Sequence, residues 1–341
     1  MTADTVGGVW TYALEVADAL APHGVEVHLA TMGPLPDEDQ RAAAKAGAVA
    51  ALHASGYALE WEDDPWEEVA RAGDWLLELA RELGPDVVHL NGYAHAPLDW
   101  PVPVLMAAHS DVISWWRAVE RSPVPPWLTT YRERVAAGLR AADAVCAPTE
   151  TVLDDLAANY AFDGAASVVP NGRARSGVMR TKEPLVAGLG RFWDQAKNVS
   201  ALERVADRLP WPVTVAGPGT PAGRLTQAQS AVLLARASVF ASPARYEPFG
   251  LAALEAAHAG CALVLGDLAS QRELWADAAL YVAPDDDEAI ASTLELICTD
   301  EQLRSELATR ARRRAERYTP EAMADGLLRL YAAILPAGVA A

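Results

Sequence analysis

Cysteine is nearly absent from this chain of 341 residues, with only Cys146, Cys261 and Cys298 present. They lie far apart and show no metal-ligand spacing, which excludes a disulfide framework and a cysteine-bound metal. An odd, sparse set reads as buried thiols in a reducing compartment. Long hydrophobic runs are absent too: none reaches the roughly 18 residues that a membrane-spanning helix requires. The N-terminus lacks a basic segment followed by an apolar stretch, so no secretory leader is expected and the cytoplasm is the default location. Short-period repeats and low-complexity tracts are missing as well. Positive charge is scarce, with 28 Lys+Arg against 46 Asp+Glu and a net charge of −18. The imbalance is local. Residues 1–170 hold 26 acidic against 9 basic side chains, a balance of −17, whereas residues 171–341 hold 20 against 19. Such a surface repels nucleic acid and anionic bilayers and favours cationic partners. Solubility is the plainer reading of the same charge.

What is present is an ordinary globular composition, 51% hydrophobic and 22% charged, in a chain long enough for two domains. Strand-like and helix-like runs alternate from end to end, which predicts parallel α/β sheets. In the first half the strand-like runs are Val25–Ala30, Val87–Leu90, Val102–Ala107 and Ala144–Ala147, separated by amphipathic stretches such as Val9–Ala21 and Trp66–Leu83. A short run Ser167–Val169 ends at the turn signal Pro170-Asn171-Gly172. The polar segment Arg173–Glu183 reads as a linker. The second half restarts with Leu185–Leu189, Val213–Ala216, Val239–Ala241, Ala262–Leu265 and Ala279–Val282. Two successive units of this kind predict two Rossmann-like domains facing a cleft. Ligands of such sheets sit at the carboxyl ends of the strands, so segments directly after strands carry the most weight.

Three such segments stand out. Arg245-Tyr246-Glu247-Pro248-Phe249-Gly250-Leu251-Ala252-Ala253-Leu254-Glu255 follows a strand and opens a helix. Eight residues of continuous helix would hold the two carboxylates about 12 Å apart, so Glu247 is expected in the loop and Glu255 inside the helix. The amides around Phe249, Gly250 and Leu251 then form an anion site at the helix N-terminus, and one glutamate can accept sugar hydroxyls, the other ribose hydroxyls. A capped surface helix with incidental acids is the alternative. In Gly188-Leu189-Gly190-Arg191-Phe192-Trp193-Asp194-Gln195-Ala196-Lys197-Asn198, Arg191 and Lys197 are able to place two cations on a diphosphate, stabilising its departure without a metal. Solvated surface charge is the competing reading. Third, Gly7-Gly8 near the start permits close backbone approach at another helix opening, but it is not a GxGxxG dinucleotide fingerprint. The acidic runs Glu62–Asp64 and Asp285–Glu288 are not assigned to a metal; the second follows Pro284 and reads as a helix start.

Together these segments resemble the retaining GT-B glycosyltransferases of family 4, also called group 1. Glu247-Pro248-Phe249-Gly250 with Glu255 looks like that family's glutamate pair, Gly190-Arg191 with Lys197 its Arg/Lys pair, and Gly7-Gly8 its N-terminal glycine loop. Val168–Gly172 is similar to its interdomain Pro-Asn-Gly segment, and Tyr318-Thr319-Pro320 with the helix through Ile334 to its closing tail. The resemblance spans essentially the whole chain. It implies an acceptor-side domain over residues 1–170, a nucleotide-sugar domain over 171–317, and a tail at 318–341 whose helix crosses back to the first domain. It further implies a nucleotide diphosphate-sugar as substrate, no separate cofactor, no metal, and transfer to a hydroxyl with retention. Arg191 and Lys197 would hold the diphosphate, Glu255 the ribose and Glu247 the transferred sugar, with Gly7, Gly8, Phe249, Gly250 and Leu251 also touching the donor. His109 looks like a family histidine beside the donor sugar; a core or capping histidine is the alternative. His89, Asn91 and His95 are expected on the acceptor side. Charge adds the expectation of a neutral or amine-bearing acceptor, a small molecule or a glycan.

Two departures from the family pattern accompany the match. Only Met1-Thr2-Ala3 precede Asp4 where members have a hydrophobic first strand, so that strand is expected to be missing or very short, with the sheet losing a central member. The segment Gly217–Leu225 is short where members have a further strand contacting the base. The rival function that follows is an inactive relative binding a sugar nucleotide or a partner without turnover. An epimerase on the same two-domain fold is a third reading, for which the sequence offers no assignable acid/base set.

Overall fold

The computed structural model describes residues 1–336; positions 337–341 of the expected tail lie outside the described residues. The chain forms two α/β units, one comprising residues 1–114, 122–172 and the segment from Pro320 onward, the other residues 115–121 and 173–319.

The first unit runs β1 (Thr2–Asp4), α1 (Gly8–Leu20), β2 (Val27–Met32), α2 (Glu38–Ala46), β3 (Val49–Ala54), α3 (Trp66–Leu83), β4 (Val88–Leu90), β5 (Val104–Ala107), α4 (Val112–Val119), α5 (Thr129–Ala141), β6 (Ala144–Ala147), α6 (Glu150–Tyr160) and β7 (Ala166–Val168). Residues 115–121, including most of α4, group with the second unit. All pairings are parallel, in two ladders ordered β1-β2-β3 and β4-β5-β6-β7. The first strand is therefore present, though only three residues long, with Thr2 opposite Ala30 and Asp4 opposite Met32. Its brevity is felt on its other side, where the described residues show no ladder to β4. There Asn91, just past β4, donates from its backbone N–H to Thr2 Oγ1 (3.0 Å) and from Nδ2 to Thr2 O (2.6 Å). A side chain replaces strand pairing at that seam, satisfying main-chain groups that would otherwise be unmet. Neither α2 nor β3 is legible in the sequence. The first buries only Ala44, and the second is alanine-rich and only partly buried, so neither shows a periodic apolar pattern.

The second unit runs β8 (Glu183–Leu189), α7 (Ser200–Val205), β9 (Val213–Ala216), α8 (Gln227–Arg236), β10 (Ala237–Ser242), α9 (Leu251–His258), β11 (Ala262–Gly266), α10 (Ala269–Trp275), β12 (Ala279–Val282), α11 (Asp287–Thr299) and α12 (Glu301–Ala315). Its parallel sheet has the order β12-β11-β10-β8-β9. Successive residues of β10 enter different cores: Phe240 packs with Leu254 of α9 and Trp275 of α10, Val239 with Leu202 of α7 and Leu294 of α11. Helices cover both faces, which is why the strands read as continuous apolar runs. No strand lies between β9 and α8 among the described residues, so β9 is an edge, flanked by an open apolar groove of about 450 Å³.

The last described helix, α13 (Pro320–Ile334), belongs to the first unit. Met323 and Leu327 share a core with Val16 and Leu20 of α1, and Gly326 lies so close to Val169 that a Cβ there would stand 2.8 Å from it.

Candidate functional site

Three loops leaving the carboxyl ends of β8, β10 and β11 build the site in the second unit. Asp194 organises the first. Its carboxylate accepts from Arg191 Nη2 (2.6 Å) and from the Ala196 N–H (3.0 Å), which bends residues 191–197 into a compact turn. That turn is tied to the loop after β10: Arg245 donates its N–H to Ala196 O (2.8 Å) and its Nη1 to Gln195 O (2.9 Å). Asn198, 2% exposed and with a left-handed φ of 49°, donates to the carbonyls of Pro243 and Pro284. Lys197 thereby reaches Glu247, with Nζ 2.6 Å from Oε2.

Glu247 lies in the loop and Glu255 is the fifth residue of α9. Gly250 caps the helix at φ +90°, a conformation suited to glycine, and no side chain accepts from the first turn. The amides that begin α9 are thus left without a side-chain acceptor, an arrangement that attracts anions. Two residues of α10 hold this loop from behind. Ser270 Oγ donates to Glu247 O (2.6 Å), and Gln271 Nε2 donates to the carbonyls of Glu247 and Phe249 (both 3.1 Å). Glu255 receives a charge-assisted bond from Arg173 Nε at 2.6 Å. Arg173 is buried to 8% exposure, so the segment read as a polar linker begins with an anchored arginine. Asp194 and Asn198 lie in the segment that carries Arg191 and Lys197, and Arg173 opens the linker segment, but the sequence assigns none of them a role there; Ser270 and Gln271 have no local signal.

The acid run after Pro284 is occupied locally. Asp286 accepts from the Ala289 N–H as the cap of α11, Asp285 pairs with Arg245 and Arg121, and Asp287 pairs with Arg204.

In the first unit, α1 begins directly after the exposed Gly7, with no side-chain cap. The φ of Gly7, −167°, is extended backbone that any residue adopts, so conformation does not require glycine there. His109 lies past β5, with Nε2 2.8 Å from Asn91 Oδ1 and its ring edge-to-face with Tyr12 at 4.4 Å. Burial lowers its pKa to about 4, which keeps the imidazole neutral near pH 7.

The three residues expected on the acceptor side are all engaged within the first unit. His89 is 3% exposed, with Nδ1 2.6 Å from the Tyr331 hydroxyl of α13; burial pushes its pKa down to about 3. His95 is 7% exposed and bonds Val69 O through Nε2 at 2.9 Å, and burial lowers its pKa despite that bond. Both are buried histidines, one held by Tyr331 of α13 and the other by Val69 of α3. Asn91 is committed to Thr2 and His109, a scaffold role.

The first unit has a separate feature that gathers the acidic run Glu62–Asp64 with aromatic side chains. A cavity of about 440 Å³ is lined by Glu60, Glu62, Asp63, Asp64, Trp66 and Trp127, among others. Glu60 accepts from the N–H groups of Tyr93 and Ala94, just past β4, and burial raises its pKa. Trp10 is packed in the core with Leu29. Trp115 and Trp116 group with the second unit.

Residues 6–174 match the family model described as Glycosyltransferase Family 4, and residues 222–314 that described as Glycosyl transferases group 1. A phosphatidyl-myo-inositol mannosyltransferase of Mycolicibacterium smegmatis is 33% identical over 34% of this chain and 31% of its own length, so that match spans under a third of the relative. A D-inositol 3-phosphate glycosyltransferase of Xylanimonas cellulosilytica is 27% identical over 96% of this chain and 91% of its own. Among solved structures, sucrose-phosphate synthase of Thermosynechococcus elongatus superposes with a TM-score of 0.80 at 19% identity, covering 96% of this chain and 93% of that one. The Anabaena HepE complex with UDP-glucose gives 0.74 at 15% identity, covering 97% and 98%. At these identities the structural likeness establishes the GT-B fold.

Proposed function

We propose, because this chain belongs to the GT-B glycosyltransferases of family 4 (group 1), that it moves a sugar from a nucleotide diphosphate-sugar to an acceptor hydroxyl with retention at the anomeric carbon. The observation that carries the reading is the meeting of Lys197 and Glu247 at 2.6 Å beside the uncapped start of α9. A cation for phosphate, a carboxylate for sugar hydroxyls and free helix amides are thereby gathered at one carboxyl edge of a parallel sheet.

In this reading Arg191 and Lys197 bind the diphosphate and take up the charge that grows on it as the glycosidic bond breaks. The amides of Phe249, Gly250 and Leu251 add dipoles of the same sense. Glu255, steadied by Arg173, accepts from the ribose hydroxyls, and Glu247 from those of the sugar. Gly7 and Gly8 let the backbone approach the donor, and His109, a neutral imidazole, borders the sugar. The acceptor oxygen forms its bond to the anomeric carbon on the face from which the diphosphate leaves. Its proton passes to the departing phosphate oxygen, so no second carboxylate and no metal enter the step. The nucleotide in the Anabaena complex supports a nucleotide-sugar donor.

The acceptor is neutral or amine-bearing. The −17 balance of residues 1–170 and the cavity of carboxylates and tryptophan faces support this, since aromatic faces and acids together attract organic cations. Binding without turnover is not favoured, because Arg191, Lys197, Glu247 and Glu255 are all present. The test is a turnover assay with nucleotide-sugars and a panel of amino-sugar and neutral acceptors, with the anomeric configuration of the product read by proton NMR. Transfer with retention is expected; an inverted product overturns the mechanism.

A further inference from the structure

The loops that leave β8 and β9 are zipped together by their main chains. Gly190 donates its N–H to Ala216 O and Phe192 donates its N–H to Pro218 O, both at 3.0 Å. A Cβ at Gly217 (φ +146°) would stand 2.0 Å from Gly190 O, so no larger residue permits this approach. Trp193 lies on the zipped pair, close enough to Gly219 that a Cβ there would stand 3.0 Å from its Cε3 and Cζ3. Its ring is nevertheless 64% exposed, with Phe192 beside it at 39%. One side of the indole is thus backed by glycine main chain while most of its surface faces solvent. Core packing does not account for so exposed a ring, whose polarizable face is suited to stacking.

Trp193 is also two residues from Arg191, at most about 7 Å between Cα atoms. That is the scale on which a ribose separates a diphosphate from its base. The edge strand β9 has no further strand outside it among the described residues, so the base is not flanked by a second ladder on that side.

We propose that Trp193 is the stacking platform for the nucleobase of the donor, and that this site holds the base by its face and not by its edge. The inference rests on the nucleotide-sugar reading above and adds the residue that receives the base. Stacking tolerates any base, because every base has a π-face. The chain therefore accepts uridine, guanosine and adenosine diphosphates with similar affinity.

Calorimetry with UDP, GDP and ADP on the wild type, Trp193→Ala, Trp193→Phe and Arg191→Ala tests this, with inorganic pyrophosphate as the probe that lacks a base. The three nucleotides should bind the wild type within about tenfold of one another. Trp193→Ala should weaken all three by roughly tenfold or more and leave pyrophosphate unchanged, and Trp193→Phe should restore most of the loss. Unchanged nucleotide affinity in Trp193→Ala, or a preference above about a hundredfold for one base, overturns the platform. If Arg191→Ala loses nucleotide while Trp193→Ala does not, this inference fails and the donor reading stands. If the wild type binds pyrophosphate but no nucleotide, both fall.

Discussion

Lys197 and Glu247, fifty residues apart in sequence, form an ion pair of 2.6 Å between Nζ and Oε2. Lys197 is 30% and Glu247 15% exposed at the side chain, so each retains an accessible side while the pair sets their relative position. If the proposed donor binds here, its diphosphate meets a lysine already held in place by the glutamate. Preorganisation of this kind is what makes electrostatic stabilisation effective at the moment charge develops.

Arg191→Ala is expected to lower kcat by about 10²–10³, by analogy with the loss of one oxyanion-stabilising donor. Its Tm should fall only modestly, because Asp194, 12% exposed at the side chain, keeps its bond from the Ala196 N–H. Turnover should continue in EDTA. Full activity in the variant, or abolition by the chelator, removes the assignment.

The two glutamates should separate in binding experiments. Glu255→Ala is expected to weaken the affinity for a free nucleoside diphosphate, whereas Glu247→Ala leaves that affinity nearly unchanged and impairs transfer. Calorimetry on both variants decides; an equal loss in the two means that the division of roles is wrong.

Arg173→Ala should act on Glu255 at a distance from the donor. Removing the buried partner leaves a carboxylate that is 26% exposed, so the full penalty of about 3–5 kcal/mol for a broken buried pair is reduced by solvent, to roughly 1–3 kcal/mol. A lower Tm with weaker nucleoside diphosphate binding is expected, and the double variant with Glu255→Ala should show non-additive losses. Additive effects would falsify the coupling.

Acid should destabilise the first unit through His89, whose folded pKa of about 3 lies below the ordinary value near 6.5. Between those two values the unfolded chain binds a proton that the folded chain does not, so stability falls as pH drops below 6.5. His89→Gln, which keeps a partner for Tyr331, should flatten the pH dependence of unfolding by up to one proton, or about 1.4 kcal/mol per pH unit. Parallel denaturation series from pH 7 to 4 measure the slopes, and identical slopes refute the prediction.

For an amine-bearing acceptor, kcat/KM should fall as salt rises, since exposed charges are screened beyond about 8 Å at physiological ionic strength. Asp63→Asn combined with Asp64→Asn should reproduce part of that loss at low salt. A salt-independent kcat/KM, or a preference for anionic acceptors, eliminates the electrostatic argument.

Much of this protein was determined by local sequence alone. The parallel α/β class follows from the alternation of apolar runs, because strands buried on both faces need no polar positions. The loop position of Glu247 and the helical position of Glu255 follow from helix rise and from Gly250. The meeting of Lys197 with Glu247 follows from their places in loops after neighbouring parallel strands. Tertiary structure decided what has no periodic or local signature. Asn91 reaches Thr2 across a broken seam, Arg173 reaches Glu255 from a segment that reads as linker, and Gln271 secures Glu247 from a neighbouring helix. His89 and His95 are buried, the first against Tyr331 and the second against Val69. Strand ends place main chain predictably, but which side chains are then covered depends on helices distant in sequence, such as α13 with Tyr331. Burial is a property of the whole packed unit, and no window of sequence contains it.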